Sequence, residues 1–259
     1  MRDACRTVTA AVIAAAALAA GTAACGSPVP GSAYGMGTAT PAVTPDPLAG
    51  LTADQITRQT MADLNNASSV RYAGTILESG QHLSVNLTLV RGHGCQGSVG
   101  LSGRGSVQMV DNGKFVWMLP NDSFYKSLGV SAAEIPLLSG KWLKVSEKSV
   151  LGDLSSACTI SNLAGYMSSH DAGMIKGAVT SLDGQRAMII TQTGEPGKVY
   201  VSDTARPELL RLSVPKGPGT GTGTITFSDY GLPVTITPPP ASKTLNSGEL
   251  GPKIGPLTV

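Results

Sequence analysis

The chain has 259 residues, of which 14% are charged and 4% are aromatic, and its formal net charge is +2. This composition excludes a highly charged disordered protein. The absence of any run of Lys or Arg argues against nucleic acid as a partner. The 32 glycines and 17 prolines, together with many Thr, Ser and Val, favour turn-rich β structure.

The first residues are typical of a bacterial export signal. Arg2 and Arg6 precede the apolar run 8–20, which is shorter than the ~20 residues of a membrane-spanning helix. Small residues then lead to Cys25, as in a lipobox, whose cysteine thiol is acylated and becomes the new N-terminus. A lipobox usually has Leu three places before the cysteine, where this chain has Thr22. A plain secretory signal, with Cys25 incidental, is the alternative. We predict a lipoprotein signal peptide over residues 1–24 and lipidation at Cys25.

The segment after Cys25 has a different composition. From Ser27 to Leu51 the residues are mostly Pro, Gly, Ser, Thr and Ala, with almost no charge. Such a segment buries too little apolar area to offset its ordering entropy. We therefore predict a flexible tether over residues 25–51, a folded domain over residues 52–246 and a loose tail over residues 247–259.

The folded body begins with a predicted helix. Thr52 is a suitable N-cap, and Ile56, Met61 and Leu64 fall near helical spacing, so a helix is expected from Ala53 to Asn65.

Two β-hairpins are predicted next. In the first, apolar and polar residues alternate on both sides of the turn at Glu78-Ser-Gly-Gln81. The second surrounds Asp111-Asn-Gly113, a turn sequence typical of type I′. The four predicted strands are 69–77, 83–90, 106–110 and 114–119.

The segment between the hairpins matches the dinucleotide-binding pattern G-x-G-x-x-G. Gly92-His-Gly-Cys-Gln-Gly97 carries the match, but no helical pattern follows it. Because that site needs a helix immediately after the glycines, we predict a turn instead.

The remainder of the body alternates between helical and extended patterns. The first part is predicted to contain a helical insertion at 124–134, a strand at 140–145, and helical pieces at 150–154 and 159–170. Five strands then run to Pro233, with Asp183-Gly184 turning the first pair, and Pro238-Pro-Pro240 closes the sheet.

A period-two apolar pattern marks the inward face of these strands. The residues that this pattern predicts to point inward are Val85, Leu87, Leu89, Val107, Met109, Ile189, Leu210 and Leu212. These side chains form either a packed core or the lining of an apolar cavity. Scarce aromatics with many Met and small aliphatic residues suit an adaptable lining, so both alternatives stay open.

The sequence carries no recognisable catalytic or metal-binding motif. No Gly-x-Ser-x-Gly nucleophile turn occurs, and His93 beside Cys95 lacks the spacing of a four-ligand zinc site. We expect no enzymatic activity, no metal and no cofactor. Cys95 and Cys158 are two body cysteines in a predicted exported chain, which indicates one structural disulfide rather than a C-x-x-C redox pair.

Several segments, taken in order, resemble a known family. They are Gly113-Lys-Phe-Val-Trp117, Gly140-Lys-Trp142, Gly184–Ile190, Val199-Tyr-Val201, Pro207–Leu212 and Phe227–Val234. Over residues 53–246 the chain is similar to the actinobacterial lipoproteins of the LppX/LprAFG family and, more distantly, to LolA-type periplasmic carriers. The resemblance implies an α+β fold: a strongly curved antiparallel half-barrel sheet covered on its concave side by helices.

The same resemblance implies a function. In such families the space between sheet and helices takes lipid acyl chains, and members carry acylated lipids or glycolipids across the cell envelope or bind them at the membrane. We therefore expect a monomeric exported lipoprotein, held on the outer face of the cell membrane by acylated Cys25, that binds a lipid or lipidated glycan. An envelope sensor or protein-interaction module of the same fold, without lipid cargo, is the alternative.

Overall fold

One open sheet of twelve strands organises the computed structural model, which describes residues 46–78, 80–146, 158–162, 164, 173–215 and 222–246. The strands are β1 (Ser69–Glu78), β2 (Gln81–Val90), β3 (Gly94–Leu101), β4 (Gly105–Asp111), β5 (Phe115–Pro120), β6 (Trp142–Ser146), β7 (Met174–Leu182), β8 (Gln185–Gln192), β9 (Lys198–Ser202), β10 (Leu209–Val214), β11 (Thr222–Ser228) and β12 (Thr244–Asn246). The α-helices in these ranges include α1 (Ala53–Asn66), α2 (Asp122–Ser127) and α3 (Ile135–Leu138), and Ala241–Lys243 form a short 3-10 helix before β12. This is the predicted α+β class.

The strand order is β12-β6-β5-β4-β3-β2-β1-β11-β10-β9-β8-β7. Neighbours pair antiparallel, except that β12 pairs parallel with β6. The first and second halves of the domain meet where β1 pairs with β11, so the five C-terminal strands β7–β11 extend the sheet begun by β1–β6.

Helix α1 forms as predicted, for a local reason. Thr52 and Gln55 make a capping box, in which the Gln55 N–H donates to the Thr52 hydroxyl and the Thr52 N–H donates to the Gln55 side chain. This satisfies donors that the first helical turn leaves open. Ile56, Met61 and Leu64 are buried on the face toward the sheet.

Both predicted hairpins are present, but one turn type is wrong. In the loop after β4 only Gly113 has a positive φ, +77°, whereas type I′ needs two such residues. The Asn112 side chain instead accepts from the N–H groups of Lys114 and Phe115. The Asp183-Gly184 turn has positive φ at both residues and matches the I′ pattern.

Strand β3 corrects the prediction for the glycine-rich segment. The turn after β2 is confined to residues 91–93, and Gly94–Leu101 is a strand between β2 and β4. The many glycines of this segment suggested a turn, and Gly97 shows why they are compatible with a strand. A Cβ placed there would lie 2.0 Å from the Asn86 carbonyl oxygen, so the residue is needed for close strand approach rather than for a turn.

The helical insertion after β5 begins and ends elsewhere than predicted. Helix α2 starts at Asp122, where the Asn121 side chain accepts from the Phe124 N–H. Residues 131–134 form a turn before α3. The predicted helix at 150–154 lies outside the described residues, as does most of the one at 159–170.

The start of the domain and the end of the sheet also differ from the prediction. Leu48, within the predicted tether 25–51, is 1% exposed and packs with Ile56 and Met188. The Lys176 ammonium donates to the Leu48 carbonyl. Packed structure therefore begins before Thr52. Beyond Pro238-Pro-Pro240 the chain adds β12, so the prolines do not close the sheet. Residues 1–24, Cys25 and 247–259 lie outside the described residues.

We predict that Gly97→Ala destabilises the domain by roughly 2 kcal/mol or more. The added methyl meets backbone atoms of Asn86 and Leu87, and Gly97 has φ +147°. Gly50→Ala is the matched control, because a Cβ there meets nothing within 4 Å, and its free energy of unfolding should change by less than about 0.5 kcal/mol. Urea denaturation measures both. Equal stability of the two variants would contradict the proposed close packing at β3.

Candidate functional site

A large apolar cluster, which we call the core cluster, lies between one face of the sheet, helix α1 and the residues near Cys158. The described residues of this last part are 158–162 and 164, and we call them the Cys158 segment. Its buried members are Met61, Leu64, Val70, Leu87, Leu89, Cys95, Val107, Met109, Val116, Met118, Val145, Cys158, Ile160, Ala164, Leu209, Ile225 and Phe227. The cluster therefore spans β1–β6 and β10–β11 and is covered by α1 and by described residues of the Cys158 segment.

Strand register explains why these side chains meet. Tyr72 lies opposite Leu87, Leu87 opposite Gly97, Gly97 opposite Met109, and Met109 opposite Met118. Residues directly opposite in neighbouring strands share a face of the sheet. Tyr72 also stacks against Phe227, with 6.2 Å between ring centroids.

Six of the eight residues predicted as inward lie at this face. Leu87, Leu89, Val107 and Met109 are buried in the core cluster, while half-buried Val85 and Leu212 pack against it. The structure thus brings together most of the predicted stripe. Whether these residues line a ligand stays a prediction.

The prediction for Ile189 is wrong, because its side chain points to the opposite face of the sheet. It pairs with Tyr200, whereas its neighbours Met188 and Ile190 pack with Ile56 beneath α1. Adjacent strand residues point to opposite faces, so Ile189 is not on the helix-covered face. The run Ala187–Ile190 is continuously apolar and offers no alternation from which to choose the phase.

Leu210 is buried but does not belong to the core cluster. The register between β9 and β10 shifts between Leu209 and Arg211, which marks a β-bulge. A bulge inserts an extra residue and changes which side chain points inward. Leu209 therefore takes the inward position that the period-two pattern assigned to Leu210.

Cys95 and Cys158 form the predicted disulfide, with their Cα atoms 5.1 Å apart. Both are buried in the core cluster. The bond attaches the start of β3 to the segment that covers the cluster, 63 residues further along the chain.

A cleft of about 240 Å³ lies at the C-terminal end of α1, beside the core cluster; we call it the end cleft. It is lined by Asp63, Asn66, Ala67, Arg206, Glu208, Tyr230 and Gly231. Sequence reasoning assigned no role to these residues, which come from three distant parts of the chain.

Hydrogen bonds hold the walls of the end cleft. The Tyr230 hydroxyl donates to the Leu209 carbonyl at 2.7 Å, and the Gly231 N–H donates to the Ser69 carbonyl at 3.0 Å. The Gln59 amide donates to the Ala205 carbonyl, which ties the β9–β10 loop to α1. The cleft is therefore built from elements that are anchored to one another.

The end cleft carries two carboxyl groups close enough to influence each other. Burial raises the pKa of the Glu208 carboxyl, and Asp63 raises it further, while Arg206 opposes both effects. The Arg206 guanidinium is 3.9 Å from the Asp63 carboxylate, and its side chain is 85% exposed, so this ion pair is weak.

A second cleft, of about 460 Å³, lies between α2 and the strands β4 and β5. Its polar groups are already paired with one another. The Asn121 side chain accepts from the Phe124 and Ser106 N–H groups, and the Ser139 hydroxyl donates to Asp122. Several polar side chains of this cleft are therefore already engaged with one another.

The histidines do not form a metal centre in the described ranges. His93 is exposed in the turn before β3, and His170 lies outside the described residues. No group of three or more His, Cys, Asp or Glu side chains in the described ranges is placed to hold a metal ion. No helix in those ranges combines the length and apolar character needed to cross a membrane.

Comparison with solved structures identifies the fold. LprF from Mycobacterium bovis matches with a TM-score of 0.51 and 14% identity, over 72% of this chain and 96% of LprF. The lipoprotein LppX from Mycobacterium tuberculosis matches with a TM-score of 0.47 and 15% identity, over 71% of this chain and 98% of LppX. Comparisons with protein-family models and with curated proteins gave no match. The chain has the curved α+β half-barrel fold of LprF, which confirms the predicted fold.

We predict that removing the disulfide with Cys95→Ala and Cys158→Ala lowers the free energy of unfolding by roughly 4 kcal/mol in the chain-entropy model. The bond closes a long loop, and its loss frees the unfolded chain. Urea denaturation of the double variant and of reduced wild-type protein measures the effect. The two should agree closely; an unchanged midpoint in both would contradict a stabilising bridge.

We also predict that stability falls as pH rises above about 10. Burial raises the pKa of Tyr72 to about 12 and also raises that of Tyr230, where Glu208 adds to the effect. The folded state keeps protons that the unfolded chain releases above about pH 10, so stability is full below that pH and declines toward pH 12.

The expected decline is about 1.4 kcal/mol per pH unit for each such tyrosine. Urea denaturation at several pH values from 9 to 11 should show a shallower decline for Tyr72→Phe and for Tyr230→Phe than for the wild type. Because lysines titrate in the same pH range, the informative quantity is the difference between variant and wild type in the slope of stability against pH. Identical slopes in all three proteins would be evidence against these shifts.

Proposed function

We propose that this chain is an exported, membrane-anchored lipoprotein that binds or carries a lipid or lipidated glycan between the sheet and its covering helices. The observation that carries the proposal is the core cluster, an apolar surface that runs across eight strands and lies beneath α1 and the Cys158 segment. Acyl chains enter such a space by the hydrophobic effect, at ~25 cal/mol per Å² of apolar area removed from water.

Two further features support lipid binding. The fold is that of LprF, and the sequence resembles a family whose members hold acyl chains in the equivalent space. The cluster also contains Met61, Met109 and Met118, whose flexible side chains adapt to partners of varied shape. No covalent step is needed for this function, and we propose no catalytic role.

The anchor is proposed to be Cys25, acylated after removal of residues 1–24. Two acyl chains, at about 0.8 kcal/mol per buried methylene, hold a domain stably at a membrane. Residues 25–45 then connect the anchor to the packed structure, which includes Leu48. Fully extended, a segment of this length reaches at most ~70 Å.

An envelope sensor or protein-interaction module is the second candidate. It is favoured by exposed apolar side chains on β7, the strand at one end of the sheet order, where Ile175 is 51% and Val179 is 37% exposed. Exposed edge strands are sites where another chain can pair. The two candidates differ in what the core face holds, so lipid occupancy separates them.

We predict that the full chain with Cys25→Ser, gently purified, carries lipid detectable by native mass spectrometry and removable by organic extraction. Adding Val85→Trp fills space at the core face and should lower lipid occupancy about tenfold. Ser84→Trp is the control, because Ser84 is exposed and adjacent strand residues point to opposite faces; it should leave occupancy unchanged.

Thermal unfolding of both tryptophan variants checks that they remain folded. Empty wild-type protein, both as purified and after incubation with a lipid extract, would remove the carrier hypothesis and leave the interaction module.

We predict that Cys25→Ser moves the protein from the membrane fraction to the soluble fraction. Intact-mass analysis should show the wild type heavier by its acyl groups. If wild type and variant fractionate alike and have no acyl mass, the secretory alternative with an incidental Cys25 is correct.

A further inference from the structure

We propose that one corner of the sheet docks on the anionic membrane surface to which Cys25 is proposed to be anchored. The docking residues are Ile175, Ile189 and Tyr200, with Lys198 at their margin. We call them the outer patch, because they lie on the sheet face opposite helix α1. This inference rests on the proposed anchor at Cys25 and is independent of any lipid cargo.

Strand register places the side chains of the outer patch on one face. Ile189 in β8 pairs with Tyr200 in β9. Ile175 in β7 and Lys198 in β9 both lie opposite Thr191, from the two sides of β8. Residues directly opposite share a face, and so do residues two apart in one strand, as Ile189 and Thr191 are. The whole outer patch therefore points the same way.

The outer patch is apolar on a face where antiparallel sheets commonly carry polar side chains. Ile189 is half-buried and belongs to neither of the apolar clusters that contact α1. Its neighbour in the edge strand β7 is Gly177, where an added Cβ would lie 3.4 Å from the Ile189 Cβ. No side chain therefore covers Ile189 from that position. Ile175, two residues before Gly177, is 51% exposed.

The connecting chain joins the folded domain beside the outer patch. Lys176, the residue after Ile175, donates from its ammonium group to the carbonyl oxygen of Leu48. Leu48 lies two residues after the start of the described chain and is 1% exposed. Residues 25–45 would therefore connect the anchor to this edge of the sheet, and the outer patch is the exposed apolar surface next to that connection.

The length of the connecting chain makes a small patch sufficient for docking. A flexible chain of about 20 residues has an r.m.s. end-to-end distance of about 25 Å. Such a linker keeps the domain at a millimolar effective concentration near the surface, so that weak binding is substantially occupied. The outer patch has far fewer residues than the ~20–30 on each side of a standard protein interface. A surface to which the domain is already tethered therefore fits the patch better than a free protein partner.

The chemistry of the outer patch fits the headgroup region of a bilayer. Contact with lipid removes the apolar area of Ile175 from water. Tyrosine is enriched at membrane–water interfaces, as expected for Tyr200, and the exposed Lys198 ammonium is attracted to anionic headgroups. At headgroup depth the backbone groups of the edge strand stay within reach of water, which the hydrocarbon core does not allow.

The test is hydrogen–deuterium exchange of the acylated protein, purified from membranes and reconstituted into vesicles of phosphatidylcholine and phosphatidylglycerol. Amides of β7 should exchange about tenfold more slowly than in vesicle-free protein carrying Cys25→Ser. Unchanged exchange in protein that floats with the vesicles overturns the inference. Slowing that grows with the density of protein on the vesicles shows contact between copies of the chain and also overturns it.

Variants locate the docking surface. Ile175→Ser and Tyr200→Ser should each reduce the slowing to less than about threefold. Leu137→Ser is the matched control, because it removes an apolar side chain that is 72% exposed and lies on α3; its exchange should slow as in the wild type. Equal loss in Ile175→Ser and Leu137→Ser would show unspecific adsorption and overturn the patch. Thermal unfolding confirms that each variant is folded, and two independent variants keep the test valid if one is not.

Failure of this inference and failure of the proposed function give different results. If the protein floats through acylated Cys25 but β7 exchange is unchanged, the anchor stands and docking fails. If Cys25 carries no acyl mass and the protein does not float, both fail, because the patch alone is too small to hold the domain. If β7 is protected on vesicles but native mass spectrometry finds no lipid cargo, docking stands and the lipid-carrier function fails.

Discussion

The hydrogen-bonded register at the centre of the sheet is the constraint on which the other features depend. Tyr72, Leu87 and Gly97 lie opposite one another in β1, β2 and β3. If one of these strands slipped by one residue relative to its neighbour, all of that strand's core side chains would point to the other face. Gly97 permits the close approach of β3 to the Asn86 backbone. With this register in place, α1 and the Cys158 segment cover one apolar surface rather than two mixed ones.

The sequence predicts elements well wherever polar and apolar residues alternate. Strand β2 alternates cleanly, and its core residues Leu87 and Leu89 were assigned to the correct face. The prediction is wrong where that signal is absent: Ile189 lies in an uninterrupted apolar run, and the β9–β10 bulge shifts the phase before Leu210. Such a bulge depends on how two strands pair, which a single strand's pattern does not encode.

The end cleft could not be predicted for a different reason. Asp63 lies on α1, Glu208 before β10 and Tyr230 after β11. The pairing of β1 with β11 and the Gln59–Ala205 hydrogen bond bring these regions together. Each residue alone has an ordinary explanation: a polar helix position, a strand end or a buried aromatic ring. Glu208 and Tyr230 lie in segments that resemble the LppX/LprAFG family, but the resemblance implied no role for either residue. Their shared chemistry emerges only from tertiary contact.

The disulfide has a mechanical consequence for access to the apolar face. It fixes the start of the Cys158 segment to β3, with 5.1 Å between the two Cα atoms. The Cys158 segment therefore cannot separate from β3 while this bond is intact, and its described residues Ile160 and Ala164 stay beside the core cluster in which they are buried.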